Sequence, residues 1–503
     1  MQLVIVFILC TILLVPKVEA VTSCPPSTTI LNVTVNPARV LRSEVPKSTF
    51  GFSIDWFQFQ HGHFRNGKVR PETIAWLKPF NGAVYRYSGG NAFEWEKSVN
   101  SIAARQPVYA NNKGMVRPDF GPGEFLNLIA QLQSRAVILL NVVGPQNSEL
   151  PNSSLVQSNL DYLAWFTQNG PKCVMGVSCP ILYFELGNEI DWGPVSWSAS
   201  KYSSRVLPFI RAAKSKYPEI KFAVVGKTAP WNERDKLRHD FDSLLAKDLA
   251  GEIDAVTFHP YYDGRSIPSM QEYINTLAKK YQAYNPRVKV LITEHGRWPE
   301  KPAFGDWQKN WYQASGSGGA LASADFLLML MKEPLVDGAM WHQISVNGPW
   351  QLFHMNNANS VLYPSAVYWS LRTLREGFLS DAVEVTPELV PGTAYAGGYD
   401  VRLVAMKNNL GNVSVMGVNR GTHAKLLKLK IAKTVFKNAV TRFMVMQGDV
   451  AGYDNTDTNP TRFEMDTTTL TYSSVGSSTF CVPPKTTFSI VVGAQGKMSQ
   501  AGN

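Results

Sequence analysis

From residue 50 to residue 376, short β-branched apolar runs alternate with longer segments whose apolar positions recur every three or four residues. The short runs, read as strands, cover 50–55, 83–88, 136–142, 181–186, 221–226, 255–259, 288–293 and 338–344. The segments with helical spacing cover 71–80, 123–133, 155–168, 201–216, 236–249, 268–284, 319–332 and 364–376. Eight strand-then-helix units in succession predict an α/β chain closed into a (β/α)8 TIM barrel, rather than an open sheet.

Beyond residue 379 the pattern changes to closely spaced strands at 401–406, 413–418, 426–431, 440–446 and 487–492, which predict an all-β sandwich. Residues 28–40 alternate in the same way and are expected to add a strand to that sandwich. The Ser/Gly-rich stretch 314–319 reads as a short linker. The expected layout is a signal peptide over 1–20, an N-terminal strand segment over 21–45, a catalytic barrel over 46–378 and a β-sandwich over 379–503.

The apolar run 3–15, followed by Val18-Glu19-Ala20, predicts a cleaved secretory signal and an extracellular protein. It is too short to span a bilayer, so stable membrane insertion is not expected. Its removal takes Cys10 and leaves Cys24, Cys173, Cys179 and Cys481, which suit an oxidising compartment. A local Cys173–Cys179 bridge would leave Cys24 to pair with Cys481, although other pairings and free thiols stay open on sequence alone. Asn32, Asn152 and Asn412 head glycosylation triplets.

A formal charge of +10 attracts polyanions such as acidic polysaccharides, and also serves plain solubility. Dense basic runs, phosphate-cradling glycine loops and zinc-type cysteine spacings do not occur, so neither nucleic acid nor a cofactor is expected.

In such a barrel the chemistry sits at the C-terminal ends of the strands. Glu189 ends the fourth strand and Glu294 the seventh, so two carboxyl groups meet across one mouth. Glycoside hydrolysis needs such a pair: one protonates the leaving oxygen, the other meets the charge developing at the sugar carbon. Glu189 is the candidate acid/base and Glu294 the candidate nucleophile. Arg86 would keep Glu294 ionised, Asn188 would hold the sugar 2-hydroxyl, and His259 and Tyr261 would orient the carboxylates. Trp341 would offer its face to the ring, and Asp55 is a further candidate substrate contact. Glu185 shares the parity of Glu189 but would lie roughly 13 Å deeper, too far to serve. Trp192, Trp197, Trp298 and Trp350 fall in loops, where they either stack on sugars or cap the barrel. A rival metal hydrolase would recruit His259, Glu294 and His295.

Gly187-Asn188-Glu189 after a fourth strand, with a second Glu ending the seventh, resembles the clan of retaining barrel glycosidases that includes α-L-arabinofuranosidases, heparanase-like β-glucuronidases and β-xylosidases. Residues 86–91 (Arg-Tyr-Ser-Gly-Gly-Asn), Trp95-Glu96, the 123–126 stretch leading into Leu140-Asn141-Val142, and Trp192-Gly193 are similar to the arabinofuranosidases. Ser88 stands where those enzymes usually have Pro, and Glu294-His295-Gly296 lacks their usual Trp, while His259-Pro260-Tyr261-Tyr262 suits the heparanase-like group equally. The resemblance implies a secreted retaining hydrolase of an oligo- or polysaccharide, with a non-catalytic carbohydrate-binding protein as the alternative.

Overall fold

The computed structural model describes residues 24–25, 28–110, 113–169, 180–228, 240–262, 266–299, 312–346, 348–356, 358–434, 436–448, 454–475 and 477–495. The proposed signal segment, Cys173 and Cys179 lie outside them.

Eight parallel strands close into a barrel in sequence order: Gly51–Asp55, Val84–Ser88, Arg135–Leu140, Ile181–Leu186, Phe222–Val225, Ala255–Phe258, Lys289–His295 and Val336–Trp341. Closure is made where Met340 and Trp341 of the last strand pair with Gly51 and Phe52 of the first. The strands read as continuous apolar runs because helices cover their outer face while side chains fill the interior, so both faces are buried. Helices occupy the expected positions, among them Asn152–Asn169, Ala199–Lys216, Ile267–Gln282 and Ala366–Gly377. The helix expected over 236–249 is seen as Phe241–Leu249.

The Ser/Gly-rich stretch is not a linker. It comprises the end of the short helix Tyr312–Ser315 and the start of the helix Ser317–Leu330, which is buried along most of its length between barrel and sheet. Small residues there allow close helix approach, which composition alone reads as flexibility.

The C-terminal strands, with Thr29–Arg42, form one ten-stranded, largely antiparallel sheet. Thr29–Arg42 lies between Asp381–Thr386 (antiparallel) and Lys425–Ile431 (parallel). The sheet curls over on itself: Phe443 and Phe480, from strands near its opposite ends, are 5.3 Å apart over a shared core that includes Val33, Leu403, Val415 and Ile490. A Cys24–Cys481 disulfide staples the start of this segment to the sheet. Asn32 and Asn152 are exposed, whereas Asn412 is fully buried in the turn before Val413–Asn419 and cannot carry a glycan in this fold.

Barrel and sheet are joined by a buried ionic latch. Asp325, on the helix Ser317–Leu330, accepts from Arg402 Nε at 2.5 Å, Arg420 Nη1 at 2.7 Å and the Tyr399 hydroxyl at 2.6 Å. The carboxylate has no exposed surface, so its removal strands two guanidinium groups at the interface. Asp325→Ala is expected to cost about 3–5 kcal/mol, read as a lowered urea midpoint.

Candidate active site

A cavity of about 260 Å³ opens at the C-terminal end of the barrel, lined by Asp55, Gln58, Ser88, Asn188, Glu294, His342 and Gln343 among others. Each side chain arrives from a strand end or the loop after it, where parity aims alternate residues inward.

The centre of the site is a buried chain of charges. Arg86, with no exposed surface, donates through Nε to Glu185 Oε2 (2.5 Å), through Nη1 to Glu294 Oε1 (2.8 Å) and through Nη2 to Asn188 Oδ1 (2.6 Å). One guanidinium thus bridges the second, fourth and seventh strands and sets the spacing of their polar groups. All three of its nitrogens are engaged, so Arg86 positions the carboxylates. Glu185 faces the barrel interior as parity implied, and the long Arg86 side chain carries its influence to the mouth.

Glu294 Oε2 accepts from the Tyr261 hydroxyl at 2.7 Å and lies 3.5 Å from His342 Nδ1. Burial alone would raise its pKa. Facing His342, His259 and Arg86, with the Tyr261 hydroxyl, more than reverse this and hold Glu294 well below the usual carboxylate range. The ladder shifts register between Ile292 and His295, and at this irregularity the consecutive residues Thr293 and Glu294 both address the interior.

Glu189 follows Gly187-Asn188 in a turn where Gly187 has φ +85° and Glu189 itself has φ +45°. A side chain at Gly187 would be strained by that φ and would meet Val142 and Ile190 within 3 Å. The left-handed Glu189 is uncommon for a residue with a long side chain, and such outliers concentrate at functional sites. Asn91 clamps the turn, accepting from the Asn188 amide at 2.8 Å and donating to the Asn188 carbonyl at 2.5 Å.

Glu189 Oε1 lies 2.9 Å from His259 Nδ1, and His259 Nε2 lies 2.8 Å from Thr293 Oγ1. Because the Thr293 hydroxyl donates to Glu185 Oε1 (2.9 Å), it accepts from His259 Nε2–H. That assigns the tautomer, and Glu189 and His259 then hold one proton between Oε1 and Nδ1. Burial opposes a charge on His259, but Glu294 and the hydrogen bond to Glu189 outweigh it and raise its pKa. One oxygen of Glu189, one oxygen of Glu294 and a ring nitrogen of His259 lie within 4.8 Å of one another.

Asp55 lines the cavity and caps the helix Trp56–His63, accepting from the Gln58 amide at 2.9 Å. Burial raises its pKa to about 6 against the pull of the Gln58 and Phe57 amides.

Trp341 corrects an expectation. It is fully buried, with Nε1 donating to the Trp350 carbonyl at 3.2 Å and its ring edge-on to His295. The next residue, His342, faces the cavity, and a one-residue difference on a strand exchanges the faces. Tyr261, Trp298 and Trp350 form an aromatic cluster, with ring centroids 4.8–5.5 Å apart, that reaches Glu294 through the Tyr261 hydroxyl. Trp197 is packed away and Trp192 is exposed.

Of the rival metal set, His259 and Glu294 meet but His295 does not join them: its Nδ1 is 2.6 Å from the Tyr262 hydroxyl. Sequence reasoning gave Glu185, Asn91, Thr293 and Gln343 no part in the site. Only the polar character of Thr293 and Glu185 inside otherwise apolar strands signalled them.

Residues 76–280 match the family model described as the alpha-L-arabinofuranosidase 1 domain. Over 92% of this chain and 99% of the other, the fold superposes on the α-L-arabinofuranosidase of Thermotoga maritima in its arabinose complex, with TM-score 0.75 and 15% identity. The fold is that of a barrel glycoside hydrolase. The GH51 α-L-arabinofuranosidase of Thermotoga petrophila RKU-1 gives TM-score 0.73 at 15% identity over 92% of this chain and 99% of that one. A GH30 endoxylanase from Clostridium papyrosolvens C71 gives 0.57 at 13% identity, over 92% of this chain and 100% of that one. No curated protein sequence matches the chain significantly.

At the barrel mouth, Tyr261 supplies one of the two donors seen on Glu294. Tyr261→Phe is expected to lower kcat by about 10- to 100-fold. It should also move the acid limb of the pH–rate profile upward, because a group that keeps Glu294 ionised is lost. A pH series on the variant checks both.

Proposed function

We propose that this chain is a secreted, retaining α-L-arabinofuranosidase that removes a neutral arabinofuranosyl unit from a polysaccharide, with Glu294 as nucleophile and Glu189 as acid/base. The observation that carries the reading is the carboxylate pair across the barrel mouth, whose nearest oxygens, with His259, fall within 4.8 Å. Retaining enzymes keep their two carboxyl groups at about 5–5.5 Å, whereas inverting enzymes need about 6.5–9.5 Å to admit a water.

In the first step Glu294, held ionised by Arg86 and Tyr261, attacks the anomeric carbon while the proton shared by Glu189 and His259 passes to the leaving oxygen. In the second, Glu189 takes a proton from water, which displaces Glu294 and restores the original configuration. Asn188, its Oδ1 occupied by Arg86, presents its amide N–H groups to the sugar.

The cavity also favours a neutral sugar over a uronate. Asp55, Ser88, Asn188 and Gln343 offer hydroxyl-binding groups, and among the described residues no Lys or Arg lines it. A sugar carboxylate there would face Asp55 and Glu294 without a cation, since Arg86 is consumed beneath. The arabinofuranosidase domain match over 76–280 favours the same reading. The Cys24–Cys481 disulfide and the apolar N-terminal run favour export.

The test is turnover of 4-nitrophenyl α-L-arabinofuranoside, β-D-glucuronide, β-D-xyloside and β-D-glucoside. The arabinofuranoside is expected to lead by at least about a hundredfold in kcat/KM. Turnover of the glucuronide alone contradicts the neutral-sugar reading. Binding without turnover of any of them leaves a carbohydrate-binding protein.

A further inference from the structure

We infer that the cleft between the barrel and the C-terminal sheet is a second carbohydrate site, built to hold an anionic sugar unit, carboxylated or sulfated. It rests on the glycosidase reading only for its consequence, the class of polymer attacked; the site itself is a matter of binding.

The cleft encloses about 620 Å³ beside the catalytic mouth. Arg297, Arg420 and Lys485 line it, Trp298 and Tyr395 give it aromatic walls, and among the described residues no carboxylate faces it. Behind it, the buried Asp325 answers the guanidinium groups of Arg402 and Arg420, and Glu388 lies 3.8 Å from Arg402. Arg420 lies 3.4 Å over the Tyr395 ring, and Lys485 Nζ donates to the Arg420 carbonyl, so two cations are held side by side. Burial and the neighbouring Arg420 push the Lys485 pKa down, against the opposing pull of Asp400.

The third cation sits on a helix N-terminus. The helix Ser317–Leu330 begins after Gly316, which supplies no side-chain cap, and its first-turn residues Ser317 and Gly318 line the cleft. A Cβ at Gly318 would stand 2.1 Å from Arg297 Nη1, so glycine is what lets the guanidinium rest on this end. Positive side chains are unfavourable at the positive end of a helix, and an anion is favourable. Arg297, Arg420 and Lys485 thus gather beside a helix N-terminus, a set of donors suited to a carboxylate or sulfate.

The position of the cleft gives the site a purpose. Trp298 lines the cleft and also packs edge-on against Tyr261, which holds Glu294. A polymer seated by an anionic unit in the cleft runs past Trp298 toward a catalytic cavity suited to a neutral one. The substrate class is then a mixed polysaccharide, acidic in its chain and neutral at the unit released, which gives the +10 charge a local address.

Calorimetric titration of the full chain in 0.15 M NaCl tests this with trigalacturonate, sucrose octasulfate and neutral galactotriose. One or both anions are expected to bind, with galactotriose silent, and the anion that binds identifies carboxylate or sulfate as the preferred group. Lys485→Gln and Arg297→Gln should each weaken that binding at least about tenfold. Lys428→Glu, on the exposed face of Lys425–Ile431, should leave it within about twofold despite its larger change in charge. Equal loss in Lys428→Glu would assign the binding to net charge and overturn the site. So would equal affinity for galactotriose, or no binding of either anion. Hydrolysis is not needed for the readout, so a failure of the arabinofuranosidase reading leaves it intact.

Discussion

Replacing Glu294 by alanine is expected to lower kcat on an aryl α-L-arabinofuranoside by at least about 10⁴-fold while leaving the fold intact. The side chain supplies the bond-forming oxygen, and no neighbour substitutes for it: His259 and His342 approach its Oε2, but Tyr261 and Arg86 only donate to it. Truncation also opens space below the anomeric carbon, beside the Arg86 Nη1 that Glu294 had occupied. Azide should enter that space and attack from the vacated face, giving a glycosyl azide of inverted configuration. Glu189→Ala behaves differently on a substrate whose leaving group needs no protonation. The glycosyl-enzyme still forms on Glu294, azide then displaces it, and the product keeps the original configuration. Opposite stereochemistry from the two variants, read by NMR, assigns the two roles separately; the same stereochemistry from both contradicts the assignment.

The second large effect belongs to Arg86. Its loss leaves Glu185 and Glu294, both buried and both hydrogen-bonded to it, without their shared cation. Arg86→Ala is expected to destabilise the barrel by about 3–5 kcal/mol and to lower kcat by about 10³-fold or more. The activity loss follows from protonation: without Arg86, the burial term on Glu294 is opposed by fewer groups, and its pKa rises toward the assay pH. Arg86→Lys should recover little, because one ammonium cannot span three acceptors on three strands. In the Arg86→Ala/Glu185→Ala double variant, much of the stability returns and the activity does not, which separates the structural cost from the catalytic one.

The same depressed pKa makes a statement about pH. Glu294 is more acidic folded than unfolded, so its contribution to stability is complete above the ordinary carboxylate pKa. It is lost as the pH falls through the folded value. The loss that comes from Glu294 should therefore appear only below about pH 4, beneath a decline that begins near the ordinary histidine pKa because burial holds His63 and His295 neutral, and Arg86→Ala should flatten the lower part.

The barrel was legible because its signal is repeated. Eight apolar runs bounded by polar strand ends leave little freedom of register, and the observed strands coincide with the expected ones to within a few residues. The strand pairing of Thr29–Arg42 and the Cys24–Cys481 bridge were legible for a related reason: an alternating segment and a lone distal cysteine both need a partner. In the sheet, Phe463–Val475 and Ser477–Val482 escaped notice, because threonine- and serine-rich edges carry no apolar alternation.

At the mouth, residue type and strand end were enough to bring Glu189, Glu294, Arg86, Asn188, His259, Tyr261 and Asp55 to one place. Orientation was not. Trp341 and His342 are neighbours on one strand, and choosing between them required the parity at its last residue. Thr293 and Glu294 face inward together only because the ladder is irregular there, which no periodic pattern encodes. Glu185 looked remote because strand rise measures backbone depth, whereas an arginine side chain reaches across it.

The central claim is double displacement by Glu294 and Glu189, and its most direct measurement is the anomeric configuration of the first-formed product. With 4-nitrophenyl α-L-arabinofuranoside and methanol as acceptor, the methyl glycoside does not mutarotate, and NMR reads it unambiguously. Methyl α-L-arabinofuranoside is the predicted product, with its formation lost in Glu294→Ala. Methyl β-L-arabinofuranoside from the wild-type protein, or an undiminished yield from the variant, would contradict the account.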